Sequence, residues 1–115
     1  MEIKQDLPVI DWKLGASLIG NKEEAAKEIL SLFIKELPLE IAKIQQLQEE
    51  NRHAQLKAVI HKLHGAVCYC GTPRLKIIIA SLETALKNNI MVSSSLFDQL
   101  YEEANLLLEH YSRQT

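Results

Sequence analysis

Between Asn21 and Glu50 the apolar residues Leu30, Phe33, Leu37, Ile41, Ile44 and Leu47 follow one another at steps of three and four. That spacing lines one face of an α-helix. It returns in three more stretches: Leu56, Val59, Ile60, Leu63, Val67 and Cys70; Leu75, Ile78, Ile79, Leu82 and Leu86; and Phe97, Leu100, Ala104, Leu107 and Tyr111. A one-sided stripe cannot hold a lone helix together in water, but four of them can bury one another. The expected fold is therefore all-α, an antiparallel four-helix bundle joined by short loops. A shorter segment, about Val9 to Ile19, is entered through Pro8 and ended by Gly20. It is read as an additional short N-terminal helix that caps one end of the bundle, with Trp12 closing the core there.

The segment boundaries follow from local chemistry. Asn21 is expected to N-cap the first long helix, with Glu23 and Glu24 placed where the helix dipole favours them. Pro38 interrupts this segment, but the apolar stripe keeps its phase across it, so a kinked helix to about Glu50 is expected. The next helix is read from His53 to Tyr69. Thr72-Pro73 then supplies a cap and a proline at the first helical position, and Asn88-Asn89 closes that helix. The last begins within Ser93–Ser95. With 115 residues, four glycines and three prolines, residues 1–115 are expected to form a single domain that needs no disulfide or metal to build its core. No apolar run approaches the roughly 20 residues of a membrane span, and no signal-peptide layout opens the chain. The start reads as a cytosolic N-terminus or as the cut end of a longer chain. Cys68 and Cys70 project about 200° apart on a helix, which disfavours a disulfide and suggests free thiols in a reducing cytosol.

A net charge of −2 excludes a generic nucleic-acid binder, and its distribution says more. From Arg52 to Leu82 there are five basic residues (Arg52, Lys57, Lys62, Arg74, Lys76) and no acidic one. Such a patch suits an anion or an acidic partner. On a helical wheel centred on Leu63, His61 and Gly65 both lie about 160° away, one on either side. Cys68, Lys57 and His64 flank them at about 140°, 120° and 100°. Gly65 is the anomaly: mid-helix glycine costs about 1 kcal/mol relative to alanine, and core packing gives no reason for it there. A bare backbone beside His61 would let another molecule approach the imidazole. A tolerated surface glycine, a kink or a helix end at Gly65 would explain the residue equally well.

Neutral imidazole is nucleophilic near pH 7, and a phosphoramidate passes its phosphoryl group on readily. A solvent-facing histidine, an adjacent glycine and local positive charge together point to transient phosphate carriage. Two other readings stand beside it. His61, His64 and Cys68 could present one face to zinc, although no obvious fourth ligand exists. The chain could also be a helical interaction module that is inert at His61.

The run Ile60-His61-Lys62-Leu63-His64-Gly65-Ala66 resembles the His-x-Leu-Lys/His-Gly signature of histidine-containing phosphotransfer (HPt) domains. Tyr69-Cys70-Gly71-Thr72-Pro73-Arg74-Leu75 is similar to the Tyr-x-Gly-x-Pro-Arg turn of HPt domains at the C-terminus of BarA/GacS-type tripartite hybrid sensor kinases. Asp11-Trp12 and Phe33 through Leu37-Pro38 fit the same subgroup. The resemblance spans nearly the whole chain. It implies a phosphocarrier with no kinase site of its own, bearing the phosphoryl group on Nε2 of His61. Gly65 is then the gap that admits a receiver domain, with His64, Lys57, Cys68, Lys62 and Arg74 supporting the phosphate or the docked partner. Tyr69 and Arg74 are equally read as organising the turn between the third and fourth helices. Position 64 is often lysine in the family; histidine, only partly charged near neutrality, is the main departure. The implied partners are the receiver domains of a hybrid kinase and of a response regulator, with Mg²⁺ carried by the receiver. An isolated domain would be a cytoplasmic monomer without cofactor, nucleic acid or membrane insertion.

Overall fold

The computed structural model describes residues 7–114. The remaining residues of the expected 1–115 domain lie outside the described part. Five helices follow in order: α1 (Trp12–Ser17), α2 (Glu23–Glu49), α3 (His53–Val67), α4 (Pro73–Lys87) and α5 (Ser94–Gln114). There is no strand among the described residues. Helices α2 to α5 each pack on the next, and α5 returns to α2, closing a four-helix bundle with α1 against α2. The 27 residues of α2 account for the long axis of 39 Å, since a helix rises about 1.5 Å per residue. No described helix is long and apolar enough to cross a membrane.

The stripes read from the sequence make the core. Leu37, Ile44, Ile60, Val67, Ile79, Leu82, Leu100 and Leu107 have no exposed surface. Helix α2 runs unbroken through Pro38. A proline inside a helix costs about 3 kcal/mol, and burial of Leu30, Phe33, Leu37 and Ile44 on both sides of it offsets that cost.

Several boundaries differ from the sequence reading, and the caps explain why. Helix α1 starts at Trp12, not near Val9, because the Asp11 carboxylate accepts the Leu14 N–H at 3.0 Å and fixes the first turn there. It ends at Ser17. Val9 is instead buried in the irregular lead-in. Asn21 does not cap α2; it takes the left-handed conformation at φ 63°, and Lys22 holds the cap position without a side-chain bond. Asn51 and Asn89 adopt the same conformation (φ 55° and 56°). Each sits one residue past a helix C-cap, where asparagine tolerates positive φ. Around Asn51, its own N–H reaches the Gln48 carbonyl and that of Arg52 reaches Leu47. Asn89 and Ile90 repeat this on Leu86 and Ala85. Both endings are Schellman motifs built on asparagine in place of glycine. Helix α3 stops at Val67, two residues before Tyr69. Thr72 stands at the N-cap of α4 but accepts no capping bond; its hydroxyl is buried without a partner among the described residues, and Pro73 at N1 sets the helix start.

The turn between α3 and α4 is pinned by α1. The Asp11 N–H donates to the Gly71 carbonyl at 2.7 Å. A Cβ on Gly71 would stand 2.1 Å from the Asp11 carbonyl oxygen and 2.8 Å from the Gly15 nitrogen. Only glycine permits this approach. Trp12 does not close the core as expected. It is 37% exposed, and its indole N–H donates to Gln114 Oε1 at 2.7 Å, linking the start of α1 to the end of α5.

Candidate functional site

Helix α3 buries Leu56, Ile60, Leu63 and Val67, so the period of the helix turns residues 57, 61 and 65 outward. The His61 side chain is 75% exposed. Lys57 and Lys62 are exposed beside it, and so is Gly65 one turn on. A Cβ added to Gly65 would meet no atom within 4 Å. Nothing inside the molecule therefore requires glycine at this position. His64 is mostly buried, and its Nε2 lies 3.8 Å from the half-buried Cys68 Sγ.

The sequence reading missed Glu83. This residue of α4 reaches across to α3, where one carboxylate oxygen contacts His61 Nδ1 and the other lies 2.5 Å from His64 Nδ1. Its side chain is only 13% exposed. Burial pushes the Glu83 carboxyl up, but the hydrogen bond from His61 and the positive charge available on His64 and His61 outweigh it. The carboxyl is held below its ordinary value. The other ring nitrogen of His61, Nε2, has no partner among the described residues. The site is thus an exposed imidazole, anchored by one nitrogen and open at the other. The sequence offered only an approximate pointer to Glu83: equal steps outward from the 68–72 turn bring His61 opposite residue 79, one helical turn short of it.

The basic patch changes character in space. Arg52 is paired with Glu50 at 2.9 Å. Arg74, expected near the partner face, gives its guanidinium to Glu103 of α5 at 3.0 Å; both side chains are largely buried, at 20% and 4% exposure. It therefore ties α4 to α5. Glu83 ends the acid-free run by one residue and sits in the middle of the patch, leaving Lys57 and Lys62 as the exposed cations around His61. The zinc arrangement weighed for His61, His64 and Cys68 is not formed. Both imidazoles turn Nδ1 to Glu83, and no group of three such ligands is disposed to hold a metal among the described residues. Cys68 and Cys70 are free thiols. Cys70 fills the core, where burial, with Cys68 adding to it, pushes its thiol up to about 12. Beside the site, Ile29, Leu32, Phe33, Leu63 and Ala66 line an apolar groove between α2 and α3, rimmed by Glu36, Glu40 and Lys62.

Residues 28–111 match the model of the Hpt domain family. The chain belongs to that family. It is 29% identical over 99 residues to the sensor histidine kinase GacS of Pseudomonas protegens, covering 86% of this chain and 11% of that protein. Over 80 residues it is 34% identical to the signal transduction histidine-protein kinase BarA of Escherichia coli, covering 69% of this chain and 9% of the other. The chain thus spans about a tenth of the length of the curated relatives it matches. Among solved structures, the HPT domain from the Hpt sensor hybrid histidine kinase of Shewanella superposes with a TM-score of 0.75 at 31% identity. That match covers 91% of this chain and 95% of the other.

Proposed function

We propose that the chain is a phosphorelay intermediate of two-component signal transduction, with His61 as its phosphoacceptor. Nε2 of His61 attacks the phosphorus of a receiver-domain phospho-aspartate. The N–P bond forms as the acyl phosphate O–P bond breaks, and the aspartate leaves as a carboxylate. The reverse geometry hands the phosphoryl group to the aspartate of a response regulator. Mg²⁺ held by the receiver offsets charge on the phosphoryl oxygens, while this chain supplies position and an open approach. It has no kinase site of its own.

One observation carries the reading: Nε2 of an exposed imidazole, without a partner among the described residues, next to Gly65, where no described contact forbids a side chain. The groove between α2 and α3, with Leu32 64% exposed and Tyr69 59% exposed near the end of α3, offers apolar surface for a docked receiver. Lys57 and Lys62 steer its acidic site. The domain acts as a cytoplasmic monomer within, or cut from, a membrane-bound sensor kinase. Incubation with a phosphorylated receiver tests the proposal: the phosphate should appear on His61, and His61→Gln should accept none while melting like the wild type. If the wild type stays unlabelled by a receiver that charges other Hpt domains, an inert interaction module is the better description.

A further inference from the structure

We propose that Cys68 is a thiol modification site that gates phosphotransfer: it forms a mixed disulfide with an anionic low-molecular-weight disulfide, and the adduct covers the approach to His61. The gating rests on the reading of His61 as phosphoacceptor. Cys68 is not an isolated thiol. It closes α3 as its C-cap in helical conformation, with φ −62° and ψ −22°. Its Sγ lies 3.8 Å from Nε2 of His64, and Nδ1 of that ring lies 2.5 Å from a carboxylate oxygen of Glu83. An ionised carboxylate only accepts hydrogen bonds, so His64 carries its proton on Nδ1 and turns the lone pair of Nε2 to the sulfur. A nucleophile, a base within reach and a third group that orients the base together activate a thiol.

The surroundings favour an anionic reagent. Lys57 and Lys62 are exposed on the same helix and have no carboxylate partner among the described residues, so they attract a disulfide that bears carboxylates. Cys70 has none of this. It is buried in the core, its Sγ donates to the Ala66 carbonyl, and burial holds its thiol protonated. In the exchange, Nε2 of His64 takes the thiol proton as Sγ of Cys68 attacks one sulfur of the reagent. The new S–S bond forms as the reagent's own S–S bond breaks, and the departing thiolate recovers the proton from the imidazolium. Cys68 is oxidised, the departing half is reduced, and no further oxidant enters. A free thiol reverses the step. Residues 61, 65 and 68 fall within about 60° of one another around the helix. An adduct on Cys68 therefore fills the open space beside Gly65, where a receiver must approach.

Glutathione disulfide is the probe. With the whole chain it should add one glutathionyl group, mapped to Cys68 by mass spectrometry and removed by dithiothreitol, while Cys70 stays free. Unfolding in urea should expose both thiols to the reagent. His64→Gln should slow the addition about 10-fold, because an unassisted thiol is only a few per cent ionised near neutrality. In the purified adduct, transfer from a phosphorylated receiver should fall at least about 10-fold with helical circular dichroism unchanged, and reduction should restore it. In Cys68→Ser, treated and untreated rates should be equal, whatever that variant's own rate. No adduct on Cys68, equal speed without His64, full transfer by the adduct, or loss of helicity on addition would each overturn the proposal. Absence of label on His61 in the untreated wild type would overturn the underlying reading instead, and the mass measurement would still judge the thiol.

Discussion

His61 and Gly65 were legible because both lie on one helix, where a period of 3.6 residues fixes direction before any tertiary contact exists. Glu83 was not, because it enters from another helix and no property of α3 announces it. The charge patch misled for the same reason: an acid-free run of sequence receives a carboxylate in space. Gly65 now has a sharper test. Open space around its position means alanine fits the isolated domain, and Gly65→Ala should stabilise it by about 1 kcal/mol, read by urea unfolding. Gly65→Glu should also fold, but it should block transfer from a receiver. Normal transfer with glutamate at 65 would show that the glycine is not there for access.

The four long helices were read correctly from their stripes, because burial decides their existence and the stripes record burial. Helix ends were read less well, because caps depend on single side chains: Asp11 shortens α1, and Asn21 bends the chain instead of capping α2. The Gly-Thr-Pro-Arg turn gains two physical reasons. Gly71 lies where α1 crosses, so Gly71→Ala should cost at least about 1–3 kcal/mol through overpacking. Displacement of α1 should alter the fluorescence of Trp12, the single tryptophan; unchanged stability and emission would refute that packing role. Arg74 belongs to the α4–α5 contact. Arg74→Ala strands the buried Glu103 carboxylate and should cost about 3–5 kcal/mol, yet the folded fraction should still accept phosphate at His61. A variant of unchanged stability that transfers poorly would return Arg74 to the partner surface.

For the whole molecule, the bundle is a rigid mount. Its core fixes α3 against α4, so Glu83 meets His61 and His64 across one interface, and the opposite side of the imidazole stays open. Membership in the Hpt family agrees with a helical bundle that displays a histidine on its surface. The sequence carried this architecture and the outward histidine; the partner's contribution lies in another chain. The most direct measurement is site mapping after incubation with a receiver domain charged by acetyl phosphate. The predicted result is an acid-labile phosphate on His61 that is lost in His61→Gln. A phosphate that persists in His61→Gln, or maps to any other residue, would contradict the account.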